Sequence, residues 1–492
     1  MALVINTNVS SLTSQRALAE SKGELNTAME RLSTGLKINA ASDDAAGLAM
    51  TQRMTAQVRG LSMAVKNAND GIAMTKSVEG AIGEVSDMLQ RMRELAIQAA
   101  NGTNSSADRT FLQNEVNLLI QEITRVSTNT RYNGELILDG TFLNKQLQVG
   151  IEEGEVITMS VESIAAENIG AYTYVGNGQT ATAAAAAPAN NPTLVADDIE
   201  IFGFLGTKLV EASAQDTAKQ TATKINNLTG LTGVKAYAKT YAALSSASAT
   251  MQTYSVKING YSTGNFVISS GDVQDAVDAI NQISGSTGVT AHSESNKVVL
   301  FDSDGDDITV ENGQTLTGHT NLRVQKVDET GEVANVVGNL ISLALSGGND
   351  STRVTGTIKM TSPNAFSIDG KSTTGYTGTT AGSTTATLKN LTQVNISTML
   401  QAGDSISIID AALDKVAQMR ANLGAIENRL DYTITNLMNI GERTADSRSR
   451  LQDADYALES SRLAKAQVIQ QAGTQMLSQA NQMTQLVLDL LR

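Results

Sequence analysis

The chain contains no cysteine. No disulfide, thiolate metal site or cysteine nucleophile is available to it, and outside a cell it would have to hold together by packing alone. Tryptophan is absent and aromatic residues make up 3% of the 492 positions. The cores must therefore be built from Leu, Ile, Val, Met and Ala, of which Ala and Leu favour helix. Proline occurs three times, at Pro188, Pro192 and Pro363, so both ends are free of the residue that most strongly interrupts a helix. Histidine occurs twice, at His292 and His319, with no HExxH pattern and no neighbouring acid motif; neither is expected to bind metal or act as a base. No stretch reaches the ~18 consecutive apolar residues of a membrane span. The opening, Met1 to Ser10 (MALVINTNVS), lacks the basic flank, apolar core and cleavage site of a secretory signal. On these features alone the chain is cytoplasmic unless it uses another export route. A formal charge of −14 argues against nucleic acid as a partner, because phosphate binding needs clustered Lys and Arg. No GxSxG, Walker A or dinucleotide fingerprint stands in a strand–turn–helix context. Catalytic residues, cofactors and metal ligands are expected to be none.

What is present is a pair of helical ends around a middle of different composition. The length exceeds that of a single core, so several domains are expected. From Ser14 to Leu36, Leu18, Leu25 and Leu32 recur every seven residues. A polar break follows over Gly35 to Asp44, with Ser42 or Asp43 as the cap of the next helix. That helix carries Met54, Val58, Leu61, Val65, Ala68 and Ile72 at alternating steps of four and three, the coiled-coil period. After a one-residue slip the period resumes at Val78, Ile82, Val85, Leu89, Met92, Ala96 and Ala99. A loop at Asn101 to Asp108 turns the chain into a helix with Leu112, Val116, Leu119, Ile123 and Val126 at the same spacing. Asn133-Gly134 marks a turn, and Gln146–Val149 with Val156–Val161 read as hairpin strands.

From about Gly176 to Ser397, Thr, Ser, Ala and Gly dominate. An internal repeat lies within this stretch. Ile225-Asn226 is followed by Thr232-Gly233-Val234-Lys235-Ala236, and Ile280-Asn281 by Thr287-Gly288-Val289-Thr290-Ala291. Each copy follows a short helix-like segment and is flanked by strands, which predicts two related α+β units side by side. The acidic run Phe301 to Gly313 places Asp302, Asp304 and Asp306 at alternate positions like a calcium loop. Its sixth position is Asp307 where that loop needs Gly, and its twelfth is Gly313 where it needs Glu. An acidic surface turn is the better reading.

From about Leu400 the helix returns, with Ala412, Val416, Met419, Leu423, Ile426, Leu430, Thr433, Leu437 and Ile440 in four-three alternation. Gly441 to Ala457 is polar and echoes the break near residue 40. The last helix carries a stripe of Ile469, Ala472, Met476, Met483, Leu486 and Leu490. Between Ala466 and Leu488 it has seven Gln and no charge. One reading is an ordinary wet face of amides. The other is a helix surrounded by copies of itself, where charges would be left unpaired. Neutral ends support the second: Met1 to Gly60 holds six basic and five acidic residues, and Gly441 to Arg492 six of each. A helix with one apolar stripe needs a partner to cover it. Pairing the two ends, with the middle looped out, covers both. The expected fold class is α+β multidomain: a long antiparallel helical bundle or coiled coil from both termini, with a β-rich α+β insertion.

The segment Leu89 to Gln98 sets Arg91, Glu94, Leu95 and Gln98 at three- and four-residue steps. It is either a solvated face with ion pairs or a contact surface for another molecule.

These motifs resemble bacterial flagellin. The carriers are MALVINTNVSSLTSQRAL, RLSTGLKINAASDDAAGLAM and LQRMRELAIQAANGTNS at the front, and LGAIENRLDYTITNL, SRLQDADYALE and AQVIQQAGTQMLSQANQ at the end. The match covers roughly 1–175 and 400–492, and the Ile-Asn/Thr-Gly-Val repeat looks like insert modules of some flagellins and hook-associated proteins. The resemblance implies an inner tube from 1–44 plus 450–492. It implies an outer tube with a β-hairpin from 45–175 plus 400–449, and a variable, surface-exposed insertion over 176–399. Leu18, Leu25, Leu32, Ile469, Met476, Met483, Leu486 and Leu490 would form the core helices and subunit interface, with joints at Asn39–Asp44 and Gly441–Ser449. Unfolded subunits would leave through the type III export apparatus with an export chaperone, then add under a filament cap protein onto a hook-associated junction protein. The product would be a secreted, extracellular homopolymer without membrane insertion. Toll-like receptor 5 would recognise the monomer through Arg91, Leu95 and Glu115. The rival is a hook–filament junction protein with similar ends. An enzyme in the insert, such as a zinc protease, would need the HExxH motif that is absent.

Overall fold

The computed structural model describes residues 8–177, 198–246, 248, 250–269, 271–294, 297–313, 321–328, 340–344, 349–370, 376 and 383–490, with backbone alone at 177 and 483–490. Its helices are α1 (Val9–Thr34), α2 (Ala45–Ala100), α3 (Ser106–Asn129), four short ones in the middle, α4 (Ala218–Asn226), α5 (Thr229–Thr232), α6 (Gln274–Gln282) and α7 (Ser284–Thr287), then α8 (Met399–Gln452) and α9 (Tyr456–Leu490). The chain divides into two compact units. One comprises Met1–Thr75, Asn144–Met159 and Gly424–Arg492; the other comprises Lys76–Leu143 and Ser160–Leu423.

Local chemistry sets the helix ends. The Asn8 side chain accepts from Ser11 N at 2.9 Å, and Gly35 at φ +74° closes α1 in the left-handed region that glycine tolerates. Asp44, rather than Ser42 or Asp43, caps α2: its Oδ1 accepts from Gly47 N at 2.9 Å. Asp43 instead closes the preceding turn, accepting from the N–H groups of Asn39 and Ala40, which hold its pKa below the ordinary carboxylate value. Ser105 and Asp108 form a reciprocal capping box at α3.

Along α2 a row of buried positions runs Leu61, Ala64, Ala68, Gly71, Thr75, Val78, Ile82, Val85, Leu89, Met92, Ala96 and Ala99, stepping by three and four without a slip, with Met74 and Leu95 buried beside it. The expected slip after Ile72 does not occur. Gly71 and Thr75 continue the seam there, and a count of large apolar residues passes over both. Thr75 satisfies its hydroxyl on Gly71 O at 2.9 Å within its own helix. The break expected over Gly441–Ala457 is shorter than its polar composition suggests. Helix α8 runs through Gly441 to Gln452, and the interruption is confined to Asp453–Asp455. A polar run without proline makes an exposed helix as readily as a break.

In the first unit, strands Lys145–Gln148 and Val156–Met159 form an antiparallel hairpin. Leu147, Val149 and Ile157 pack with Ala68, Ile72, Ile426 and Leu430. Gly71 allows this approach, since a Cβ there would lie 2.6 Å from Leu147 Cδ1. Asn67 Nδ2 donates to Gln148 O at 3.0 Å and fixes the register.

The second unit contains the insert, and the insert is a nested duplication. The first copy runs through hairpin Ile199–Phe202/Thr207–Val210, α4, α5 and strand Lys235–Ser246, then strands Thr357–Ser362 and Ser367–Gly370. The second runs through hairpin Gln252–Ile258/Tyr261–Ile268, α6, α7 and strand Val289–Glu294, then strands Lys297–Asp302 and Ile308–Asn312. In both copies the last strand returns to pair with the first strand of the hairpin. The second copy is spliced between Lys235–Ser246 and Thr357–Ser362 of the first. Each has its own core, around Ile201, Ile225 and Ile358 in one and Val256, Ile280 and Val310 in the other. Strand Lys297–Asp302 pairs with Lys235–Ser246, so the copies lie side by side in one sheet.

Candidate assembly surfaces

In the first unit α1 and α9 run antiparallel. Asn8 Nδ2 donates to Ala480 O (3.0 Å), the buried Ser21 Oγ to Ala466 O (3.1 Å), and Arg31 Nη1 to Glu459 Oε1 (3.3 Å). Leu36 and Asp453 close the pair with an antiparallel bridge, in which Lys37 N donates to Gln452 O and Ala454 N to Gly35 O. The helix break on the carboxy-terminal side falls at this bridge and not within Gly441–Ser449, which is helical. Glu459 is buried and also accepts from Arg462 at 2.8 Å; Tyr456 donates its hydroxyl to Leu32 O.

The row of α9 that carries these contacts is Glu459, Leu463, Ala466, Gln470, Gly473, Leu477 and Ala480. Its opposite number on α1 is Ser11, Ser14, Leu18, Ser21, Leu25, Ala28 and Leu32, so Leu18, Leu25 and Leu32 are half-buried at the seam. A Cβ on Gly473 would lie 3.2 Å from Leu18 Cγ. Both rows alternate by three and four, and small residues bring the backbones close. Ile469 and Met476 lie off this row and are 38% and 63% exposed. The side chains of Met483, Leu486 and Leu490 lie outside the described residues. Val9, Leu12, Met29 and Val468 are exposed as well. A helical pair that leaves this much apolar surface open has a second face to cover.

In the second unit, α2 and α3 present a charged surface. Arg91 Nε donates to Glu115 Oε1 at 2.9 Å and its Nη1 to Glu94 Oε2 at 3.0 Å. Those two carboxylates, Glu115 first, raise the guanidinium pKa. Leu95 does not join them at the surface. It is 1% exposed, because its position falls on the wide buried stripe of α2 beside Ala96. Phe111 and Leu118 of α3, which spacing did not single out, are 72% and 64% exposed. Only their chemistry, large apolar groups off the buried row, could have marked them.

The acidic run takes the form of a turn. Asp302 Oδ1 accepts from the N–H groups of Asp304, Gly305 and Asp306. Lys219 Nζ stands 3.1 Å from Asp304 and 2.9 Å from Asp306, where a loop metal would need those oxygens. Among the described residues no group of three His, Cys, Asp or Glu side chains is placed to hold a metal ion, and no described helix is long and apolar enough to cross a membrane. His292 lies on a strand, its pKa lowered by burial against the opposing charge of Glu294; His319 lies outside the described residues.

Paired terminal helices with an uncovered apolar stripe define a self-assembling structural subunit. Comparison with known proteins is specific. The model of the bacterial flagellin N-terminal helical region matches residues 5–143, and that of the C-terminal helical region matches 406–491. The chain is 37% identical to the B-type flagellin of Pseudomonas aeruginosa and 34% identical to a flagellin of Salmonella typhimurium, each over all of both chains. The solved structure of FliC from Burkholderia pseudomallei aligns with 73% of this chain and 99% of its own, at 18% identity and a TM-score of 0.29. The chain belongs to the bacterial flagellin family. It is a structural subunit that polymerises into the flagellar filament, the helical propeller of swimming motility.

Proposed function

We propose that residues 1–44 and 450–492 build the inner tube of that filament, that 45–175 and 400–449 build the tube around it, and that the insertion 176–399 faces outward. The observation that carries this reading is the apolar stripe Leu12, Met29, Val468, Ile469 and Met476. Its members are 38–64% exposed on a helical pair already closed on its other side. Copies of the same pair are the natural cover, since α9 carries no charge between Ala466 and Leu488 and that stretch can sit among its own kind without unpaired ions. Met483, Leu486 and Leu490 extend the stripe by sequence. Clipping both tails with protease tests this: the trimmed core is expected to form no fibres under polymerising salt, and ordinary fibres from it would refute the assignment.

The subunit has no catalytic role in this reading. It leaves the cell unfolded through the type III export apparatus with an export chaperone, and is added beneath a cap protein onto a hook-associated junction protein. Full-length likeness to flagellins favours the filament over the junction role; electron microscopy of purified protein separates them, with long filaments expected. Toll-like receptor 5 would read the monomer through the Arg91–Glu115 pair, with Leu95 setting the helix beneath it. An Arg91→Ala monomer is then expected to lose most of its activity on receptor-bearing cells, and unchanged signalling would refute this.

A further inference from the structure

The nested duplication supplies an internal control for the insert, because its two copies share a fold but differ in two surface properties. From the hairpin to the strand after the short helices, numbering in the copies is offset by 55. The hairpin turn of the second copy is Asn259-Gly260, with φ +48° and +87°, the left-handed pair that a two-residue turn favours. The first copy has Phe204-Leu205 at the same place, 41% and 57% exposed. Beside it Leu231 is 51% exposed, where the second copy has the exposed Ser286. Phe202, at the end of the same hairpin, is 38% exposed. The fold does not require these apolar groups, since its sister does without them.

The second difference is charge. Residues 247–354 hold thirteen acidic and five basic side chains, whereas 198–246 with 355–390 hold five acidic and eight basic. Equivalent helices carry the contrast. Helix α6 exposes Asp275 and Asp278, preceded by exposed Asp272, where α4 and its lead-in have Gln220, Thr223 and Thr217. Next to the apolar tip of the first copy, Lys208 is exposed.

We infer that the hairpin tip of the first insert copy, Phe204-Leu205 with Leu231 and Lys208, docks on the acidic second copy, at α6, of a neighbouring subunit. The inference rests on the chain being a filament subunit. Basic-apolar meeting acidic is a head-to-tail contact, and such contacts generate open helical assemblies rather than closed dimers. The size fits the same conclusion. The four apolar side chains leave roughly 300–400 Å² open, on a scale of ~150–250 Å² for a whole aromatic side chain. That is well under the ~800 Å² per partner of a stable free-standing complex. The contact would form only where polymerisation already holds two inserts at high effective concentration.

The absence of cysteine makes the test direct. Full-length Leu205→Cys carries a benzophenone maleimide and is co-assembled with unlabelled 15N chain. Irradiation is expected to join residue 205 to residues 252–313 of the 15N copy in filaments and not in monomers. The yield should fall severalfold in 0.5 M salt, or when the 15N copy carries Asp272, Asp275 and Asp278→Asn. Filaments without such links, or with links only to another hairpin tip or to the terminal helices, overturn the inference and leave the filament reading intact. A label-free measurement covers failure of the labelled chain to assemble. Hydrogen exchange of α6 is expected to slow on polymerisation of the natural chain and not of Phe204→Asn/Leu205→Gly/Leu231→Ser; equal protection in both overturns the inference.

Discussion

Asn226 and Ala236 exchange two hydrogen bonds: Nδ2 donates to the Ala236 carbonyl and Oδ1 accepts from its N–H, both at 2.8 Å. Asn281 and Ala291 repeat the arrangement at 2.9 and 2.8 Å. The side-chain amide thus stands in for a missing strand and ties the end of each helix to the strand that follows. Between them, Thr232 and Thr287 each accept from the N–H two residues on, and Gly233 and Gly288 turn the chain at φ +76° and +74°. The sequence repeat is the set of residues that this connection needs.

Replacing Asn226 or Asn281 by Ala leaves one backbone donor and one acceptor unpaired at a half-buried site. Each substitution is expected to destabilise its copy by about 2–3 kcal/mol. Asp should also destabilise, because a carboxylate accepts from the N–H but faces the carbonyl without a proton to donate. Urea unfolding with probes in each copy would check this.

Gly203 lies where its Cβ would stand 1.9 Å from the Thr232 carbonyl oxygen. Gly203→Ala must move backbone rather than a flexible side-chain end. It is expected to destabilise the first copy by about 2 kcal/mol or more, seen as a lowered thermal midpoint, with helices α1 and α9 unchanged by circular dichroism.

Lys326 is fully buried, with Nζ 2.6 Å from Thr355 O and 3.0 Å from Gly356 O. Burial lowers its pKa to about 7, opposed in part by Asp307. Because the folded value lies below that of the free chain, protonation favours unfolding. The stability from this group is full above pH ~10.5, declines as pH falls toward 7, and changes little below that. The slope is at most about 1.4 kcal/mol per pH unit. Stability of Lys326→Met against pH should lack this slope between 7 and 10; an unchanged slope would exclude Lys326 as its source.

Glu459 accepts from Arg31 across the terminal pair and from Arg462 of its own helix, with its own side chain 5% exposed and that of Arg31 18% exposed. Glu459→Ala leaves Arg31 without its counter-ion and is expected to weaken the α1–α9 pair by about 3 kcal/mol. Lower monomer helicity and slower filament growth would report it; Glu459→Gln, which keeps an acceptor, should cost less.

The helical ends were legible because repetition of large apolar residues carries their signal. Leu18, Leu25 and Leu32 announce a seam, and Val78 to Ala99 another. The signal failed where small residues do the packing. Gly71 and Thr75 continue the α2 seam, and Ala466 and Gly473 bring α9 against α1, so hydropathy drew a slip in one helix and, in the other, a stripe that does not face α1. Ile469 and Met476 are the residues left outside the monomer.

By itself, the sequence determined that this chain has proline-free helical termini, an insert with a repeated connection, and no thiol chemistry. These follow from local preference and periodicity, which neighbours in the chain decide. Only the tertiary structure decided that Leu95 is buried beneath Arg91, that Lys219 rather than a metal faces the acidic turn, and that one insert copy is spliced into the other. Each of those depends on groups tens to hundreds of residues apart meeting in space, and burial and charge pairing are settled only by that meeting.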